Sequence, residues 1–391
     1  MVPSMAEQRP LPRNVKALGV VSMLADVASE MIYPLLPLFL STVIGASATA
    51  IGAIEGLAES TSSLLKLASG WWTDRVQRRK PIVIAGYAIS ALVRPLVGIA
   101  TATWHVLGVR MTDRTGKGIR SSPRDALLAD SAEPTQRGRA YGFHRALDNA
   151  GAVVGPLIAW FLYELMHVEI RSVFLWSAVP GVLSVVVLIW FVREPPRVAP
   201  VAKARDSSLE PLGAPFWKYI SVLFVFTLGA SSDAFVLLRA RELGVGVAAI
   251  PLLYALLNVV KTLSSTPGGA LSDRLGRRPV IIAGWALYAL VYLGFAGANA
   301  AWQAWALFVA YGFFFGLTEG AEKALVADLA PAGRRGTAFG WYNFAVGIAA
   351  LPASLVFGYV WDRFGSATAF GIGAGLAGVA AAGLMALVPR R

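Results

Sequence analysis

The sequence has no cysteine, only three histidines, and charge at just 15% of its 391 positions. The absence of cysteine removes disulfides, thiolate catalysis and thiolate metal sites. An ordinary soluble protein is about 25% charged, so the scarcity of charge excludes disorder and most soluble folds. Metal-ligand spacings, a nucleophile placed beside a base and a glycine-rich phosphate loop are all missing, so neither an enzyme nor a metal or cofactor site is expected. The first sixteen residues are polar and hold no short apolar run followed by a cleavage site, so no signal peptide is expected.

What the chain has instead is hydrocarbon: 56% of its residues are apolar, with 39 glycines and 22 prolines. A bilayer-crossing helix needs about 20 mostly apolar residues. The apolar segments give spans at 17–44, 48–72, 81–101, 103–129, 139–163, 172–192, 217–240, 247–271, 279–297, 301–329, 336–361 and 366–388. The expected fold is therefore an all-α membrane protein of twelve transmembrane helices.

The net charge of +12 records topology and gives no reason to expect a nucleic-acid partner. Of the 35 lysines and arginines, 21 fall in the loops or at the span ends on the side of both termini, four in the opposite loops or span ends and ten deeper within the spans. By the positive-inside rule both termini face the cytoplasm, in a multi-pass protein of the cytoplasmic membrane.

The chain also repeats itself. Gly70-Trp-Trp-Thr-Asp-Arg-Val-Gln-Arg-Arg-Lys80 returns as Gly269-Ala-Leu-Ser-Asp-Arg-Leu-Gly-Arg-Arg-Pro279, and Ile84-Ala-Gly-Tyr returns as Ile282-Ala-Gly-Trp. Ala126-Leu-Leu-Ala-Asp130 returns as Ala324-Leu-Val-Ala-Asp328, and each copy is followed by Arg-Gly-x-Ala-aromatic-Gly from Arg137 or Arg335. Such constancy predicts two six-helix halves with one path, 1–192 and 216–391, joined by a charged, proline-rich linker over 193–215.

These residues resemble the major facilitator superfamily of secondary transporters, and the resemblance spans the chain. In that family the loop after the second helix of each half reads Gly-x-Leu-Ala-Asp-Arg-x-Gly-Arg-Arg. Residues 269–278 fit it closely, while the first copy departs at Trp72 and Gln77. The resemblance implies two pseudo-symmetric bundles around a central site exposed alternately to either face of the membrane. Gly70, Asp74, Arg75, Arg78, Gly269, Asp273, Arg274 and Arg277 are the expected cytoplasmic gate: the glycines admit close helix approach and the aspartates pair with loop arginines or cap a neighbouring helix. The same residues would equally serve as a turn and a topology signal.

Charge inside a bilayer costs at least about 2.5–3.5 kcal/mol per residue, so each one needs a partner, a wet cavity or a function. Asp26 and Glu30 share a face of the first span with Ser22 and Tyr33. Glu55, Glu59, Ser62 and Lys66 form a stripe on the second, and Arg94 sits on the third. On the fourth, Arg110, Arg114, Lys117, Ser121 and Arg124 fall within a narrow arc that must face carboxylates, water or an anionic ligand. Arg114 with Gly118, or Arg110 nearby, resembles the family's fourth-helix arginine motif, associated with proton-coupled exporters. The fifth span carries His144, Arg145, Asp148 and Asn149, then Gly151-Ala-Val-Val-Gly155-Pro156, which resembles the family's antiporter motif without its trailing glycine pair. As a generic small-residue packing face it would look the same.

The second half is less charged. Asp233 answers Glu30, Tyr254 answers Glu55, Asn258 answers Glu59, Tyr342 answers His144 and Asn343 answers Arg145, while Lys261, Glu319, Glu322 and Lys323 remain. The expectation is a charge-handling first half facing an aromatic and polar wall that includes Trp341, Tyr342, Asn343, Tyr311 and Phe313 to Phe315. Burial favours a protonated carboxylate and a nearby cation opposes it, so a carboxylate beside a movable cation can load and release a proton. Glu30, Glu55, Glu59, Asp148 and Asp26 are the candidates, with Arg110, Arg114, Lys117 and Arg145 as counter-ions. The expected function is alternating-access transport: proton-coupled export of a small charged or zwitterionic organic molecule by a monomer. The alternatives are symport or facilitated movement of an organic anion and, remotely, a non-transporting receptor.

Overall fold

The computed structural model describes residues 10–73, 78–132, 137–194, 211–330 and 335–388, and no strand occurs among them. The first half runs through α1 (Arg13–Glu30), α2 (Leu36–Leu38) with π-helical turns over Phe39–Ile44, α3 (Ala48–Thr73), α4 (Lys80–Val93) with 3-10 turns over Arg94–Ile99, α5 (Thr103–Ser131), α6 (Arg137–Trp160), α7 (Ile170–Trp176) and α8 (Ala178–Phe191). The second half has α9 (Ala214–Gly229), α10 (Asp233–Glu242), α11 (Ala249–Leu275), α12 (Arg277–Gly297), α13 (Ala301–Leu329), α14 (Arg335–Phe364) and α15 (Ser366–Leu387).

Among the described residues, nine helical segments are long and apolar enough to cross a membrane. The other long stretches, 13–44, 48–73 and 103–131, are the ones that hold the intramembrane charges of the first, second and fourth expected spans. They are the more polar stretches, the first of them also broken at 31–35, and they supply the first-half residues of the interior: Glu30, Tyr33, Glu55, Glu59, Arg114 and Lys117. Large apolar side chains on the outer surface, such as Leu92, Leu263, Leu290 and Val379, are more than half exposed. Such a surface is stable only against hydrocarbon, where every backbone group is already bonded within its own helix.

Two expected spans are interrupted. The first breaks after Glu30 because Pro34 has no N–H to return to residue 30 and pushes Tyr33 away from helical geometry, leaving turns over 31–35. The seventh breaks at 230–232, where Ala230 is extended and the Ser232 hydroxyl accepts from Ala234 N to restart the helix as α10.

Helix packing repeats along with the sequence. In the first half α1 packs on α6 and α8, α3 on α5, and α4 on α5 and α8; in the second half α9 packs on α14 and α15, α11 on α13, and α12 on α13 and α15. The halves meet through α3 against α14 and through α6 against α11. Buried apolar residues fall into two clusters. One draws on both halves, joining Leu35, Phe39 and Phe174 to Phe226, Trp285 and Phe357. The other, near the terminal side, is made of first-half residues such as Val15, Leu18, Val83, Leu128 and Leu188.

Candidate functional site

The two helix breaks face each other, with the Tyr33 hydroxyl 3.5 Å from Ser232 Oγ and the Tyr33 ring 5.4 Å from that of Tyr254. A break in a membrane helix leaves backbone groups unpaired and is tolerated where it lines a cavity. Such a cavity opens here, with a volume of about 630 Å³. From the first half Glu30, Tyr33, Glu55, Glu59, Arg114 and Lys117 line it, and the second half contributes Asp233, Tyr254, Lys261, Glu319, Glu322, Tyr342 and Asn343.

First-half charges divide into fixed and free. Arg110 Nη2 donates to both oxygens of Glu55 at 2.7 Å, and its guanidinium lies 5.7 Å from the centre of the Tyr33 ring. Arg94 pairs with Asp113 at 2.8 Å and also donates to Ala25 O at 3.0 Å, both side chains being buried. Arg120 lies 4.3 Å above the Tyr87 ring and donates to Ser90 Oγ at 2.6 Å. By contrast Glu30 and Glu59, and Arg114 and Lys117 beside them, face the cavity with no ion pair within 4 Å among the described residues.

The Gly151–Gly155 pair explains how α6 reaches this region. A Cβ at Gly151 would stand 2.6 Å from Met23 O, and one at Gly155 would stand 2.8 Å from both Val27 O and Glu30 Cβ. Only glycine lets α6 lie this close to the α1 face that bears Asp26 and Glu30. Pro156 continues inside α6.

The second-half wall is aromatic and holds Asp233 and Glu322 with neutral donors. Tyr311 donates to Asp233 Oδ1 at 2.8 Å; Trp285 Nε1 and the Tyr342 hydroxyl donate to the two oxygens of buried Glu322 at 2.9 and 3.0 Å. Phe226 stacks on Trp285 at 4.4 Å, and Phe314 stacks on Tyr311 at 5.9 Å. Glu319 gathers cations: Arg145 reaches it across the two halves at 2.6 Å, Lys261 lies at 3.7 Å and Lys323 at 3.4 Å.

At the end away from the termini the two halves are joined. Asp362, at the end of α14, accepts from the backbone N–H groups of Ala48 and Thr49 at 2.9 and 2.8 Å and from the Thr49 hydroxyl, capping the start of α3. Below that cap the two helices interlock, with the backbone of Ser354 against Gly52 and that of Ala48 against Gly358, too close for a Cβ. Toward the terminal side the lining becomes exposed at Lys323 and Asn343.

The structure separates the expected site residues. Asp26, Asp148, His144, Asn149, Asn258 and Arg124 do not line the cavity. His144 Nδ1 lies 3.6 Å from Asp148 Oδ2; Arg124 contacts Asp125 and Ser22; Asn258 donates to Tyr254 O within its own helix. The basic arc on α5 therefore faces more than one surroundings, because only part of a 29-residue helix passes the cavity. Of the expected wall, Trp341 packs on Trp217 and Phe313 points outward, half exposed.

At the expected gate, Asp74 and Arg75 lie outside the described residues, as do the surroundings of Gly70 at the end of α3. Arg78 and Arg274 are exposed. Asp273 pairs with Arg277 one turn on, and Arg277 also reaches Asp328 at 3.6 Å; in the first half Arg79 pairs with Asp130 in the same way. Close approach was expected at Gly269, yet a Cβ there would meet nothing within 4 Å; the tight contact is made one residue earlier, by Gly268 against Gly316.

Residues that sequence reasoning left out of the site are Glu319, Glu322 and Tyr288, which line the cavity, Trp285, which holds Glu322, and Asp362, which caps α3. The two glutamates carried a signal, being charges within a span; Trp285 and Tyr288 carried none, since aromatics in membrane helices usually just pack. Among the described residues no cluster of three or more metal-ligating side chains occurs.

A family model described as Major Facilitator Superfamily matches residues 18–240 and 234–391. The chain is 35% identical over 359 residues to an uncharacterised MFS-type transporter of Methanocaldococcus jannaschii, covering 90% of this chain and 89% of that one. It is 25% identical over 332 residues to the multidrug resistance protein MdtG of Enterobacter lignolyticus, covering 81% and 77%. Among solved structures it is similar to a bacterial homologue of the human lysosomal transporter Spinster, in an inward-facing and occupied conformation, with a TM-score of 0.78 at 18% identity and 95% coverage of both chains. It is also similar to a D-xylose-proton symporter, with a TM-score of 0.75 at 17% identity and 97% coverage of both. With its repeated helix path, its broken helices around a central cavity and these matches along its length, the chain belongs to the Major Facilitator Superfamily of membrane transporters.

Proposed function

We propose that the protein is a proton-coupled antiporter that exports a small charged or zwitterionic organic molecule by alternating access. The observation that carries this reading is the division of the cavity: unpaired Glu30, Glu59, Arg114 and Lys117 on one side, an aromatic wall with Asp233 and Glu322 on the other. Protonating Glu30 or Glu59 breaks no ion pair, whereas protonating Glu55 would release Arg110. Glu30 and Glu59 are thus the carriers, and Arg114 and Lys117 hold an acidic group of the substrate or release a carboxylate's proton as they move.

The halves 1–192 and 216–391, joined by 193–215, act as the two rocking bodies, in a monomer. The basic loops favour an orientation with both termini in the cytoplasm; in that orientation the cavity is closed outside by the Asp362 cap and entered from the cytoplasm. Relatives named for multidrug resistance support export. The basic pair Arg114 and Lys117 favours a second reading, symport or facilitated movement of an organic anion.

Ligands are first found by thermal shift with small organic ions, since a ligand stabilises the state it binds. Each hit is then added to proteoliposomes under an imposed pH gradient. Export by antiport predicts substrate moving against the proton flow; substrate moving with the protons would establish symport, and flux indifferent to the gradient would refute proton coupling.

A further inference from the structure

A second large concavity lies away from the transport cavity and shares no residue with it. About 970 Å³ in volume, it sits on the outer surface at the terminal side, where the start of α1, the end of α5 and the end of α8 converge. Its floor is held rigidly by Asn14, which donates to Ser131 Oγ at 3.0 Å and to Arg193 O at 2.7 Å and accepts from Arg193 N at 2.8 Å.

The groove is two-faced. Toward the membrane its wall is apolar, with Val20, Val187, and Trp190 and Phe191 at 78% and 67% exposure. At its rim stand Arg13, Lys16 and Arg193, all exposed. Both acidic groups of the groove are already engaged: Asp130 pairs with Arg79, and Glu194 accepts from the backbone N–H groups of Arg79 and Lys80 at 3.0 and 2.8 Å. Among the described residues, none of the three rim cations has a carboxylate within 4 Å.

Three cations that pair with no carboxylate among the described residues, above an apolar trough flanked by an exposed tryptophan, suit an occupant that is anionic at one end and hydrocarbon at the other. Basic pockets between membrane helices at the cytoplasmic boundary have that complementarity toward acidic headgroups. We infer that this groove is a binding site for one anionic phospholipid, its phosphate among Arg13, Lys16 and Arg193 and one acyl chain along Val20, Val187 and Trp190. Assigning that lipid to the inner leaflet rests on the orientation proposed above; the binding itself does not.

The test is native mass spectrometry of the intact chain released from mixed micelles with equal phosphatidylglycerol and phosphatidylcholine. The expected result is one retained phosphatidylglycerol in roughly fivefold or greater preference over phosphatidylcholine, lost in the triple variant Arg13→Gln/Lys16→Gln/Arg193→Gln and kept in Lys218→Gln, which alters an exposed cation on the same side outside the groove. Equal retention of the two lipids by the native chain would overturn the proposal, and that arm does not depend on the variant folding. So would undiminished preference in the triple variant, or displacement of the lipid by glycerol 3-phosphate at equal concentration, which would make the groove a site for a free phosphate. Labelling Trp190→Cys in cells with an impermeant maleimide reports the leaflet separately: reaction from outside would refute the orientation and leave the lipid site standing.

Discussion

Removing the Asp113 carboxylate while keeping Arg94 is expected to destabilise the protein far more than removing both. The two side chains meet at 2.8 Å with 3% and 8% of their surfaces exposed. An exposed pair is worth up to about 1 kcal/mol, but breaking a buried pair by deleting one partner typically costs about 3–5 kcal/mol, because the other charge is left uncompensated. Arg94 keeps its bond to Ala25 O, so Asp113→Leu should fall near the lower end, about 3 kcal/mol. In Arg94→Met/Asp113→Leu the orphan charge is gone, and the residual loss is about 1 kcal/mol for the one Ala25 carbonyl that loses its donor. The assay is a double-mutant cycle on unfolding in detergent, read beside substrate flux per folded molecule in proteoliposomes. Because neither side chain faces the cavity, the double variant should transport at the native rate. A double variant less stable than Asp113→Leu alone, or one that folds but does not transport, would refute the assignment of this pair to structure alone.

Two other substitutions probe conformation and packing. Asp362→Ala removes the cap that joins α14 to the start of α3; a lost cap is worth about 0.5–2 kcal/mol, so the joined end should open about 2- to 30-fold more often, measured as labelling of Ala230→Cys by an impermeant reagent from that side, and unchanged labelling would show that the cap does not hold the halves together there. Gly155→Ala puts a methyl 2.8 Å from Val27 O and Glu30 Cβ, an overpacking that costs about 1–3 kcal/mol; the expected outcome is a lowered melting temperature with reduced transport, and native stability would mean that α1 and α6 separate without penalty.

How far the sequence can be read depends on whether a feature is local. The ends of α13 fall at 301 and 329 as the hydropathy places them, and α12 begins at 277 against an expected 279, because Gly276 with φ 94° and the adjoining arginines mark that boundary in the chain itself. The repeat shows which helices correspond, and the packing follows it. The breaks at 31–35 and 230–232 are less legible: Pro34 signals the first, but Ser231 and Ser232 look like ordinary span residues until Tyr33 is seen to lie against them. Pairings are harder still. Arg110 and Arg114 lie one turn apart on one face, yet Arg110 is committed to Glu55 while Arg114 faces the cavity. Which of them meets a carboxylate depends on how α5 is set against α3, a relation between helices distant in sequence. Asp362 was legible as a residue near a loop, and only the approach of α3 makes it a cap.

The most direct test of the central claim concerns the free carboxylates. Glu59→Gln and Glu30→Gln, each in proteoliposomes, are compared with the native chain in two modes: substrate flux driven by a pH gradient, and substrate counterflow with no gradient. Gradient-driven flux should fall to the background rate in at least one variant while counterflow persists, since exchange needs the cavity and its movement but no net proton transfer. Gradient-driven flux that survives in both variants at the native rate would contradict the assignment of coupling to these residues.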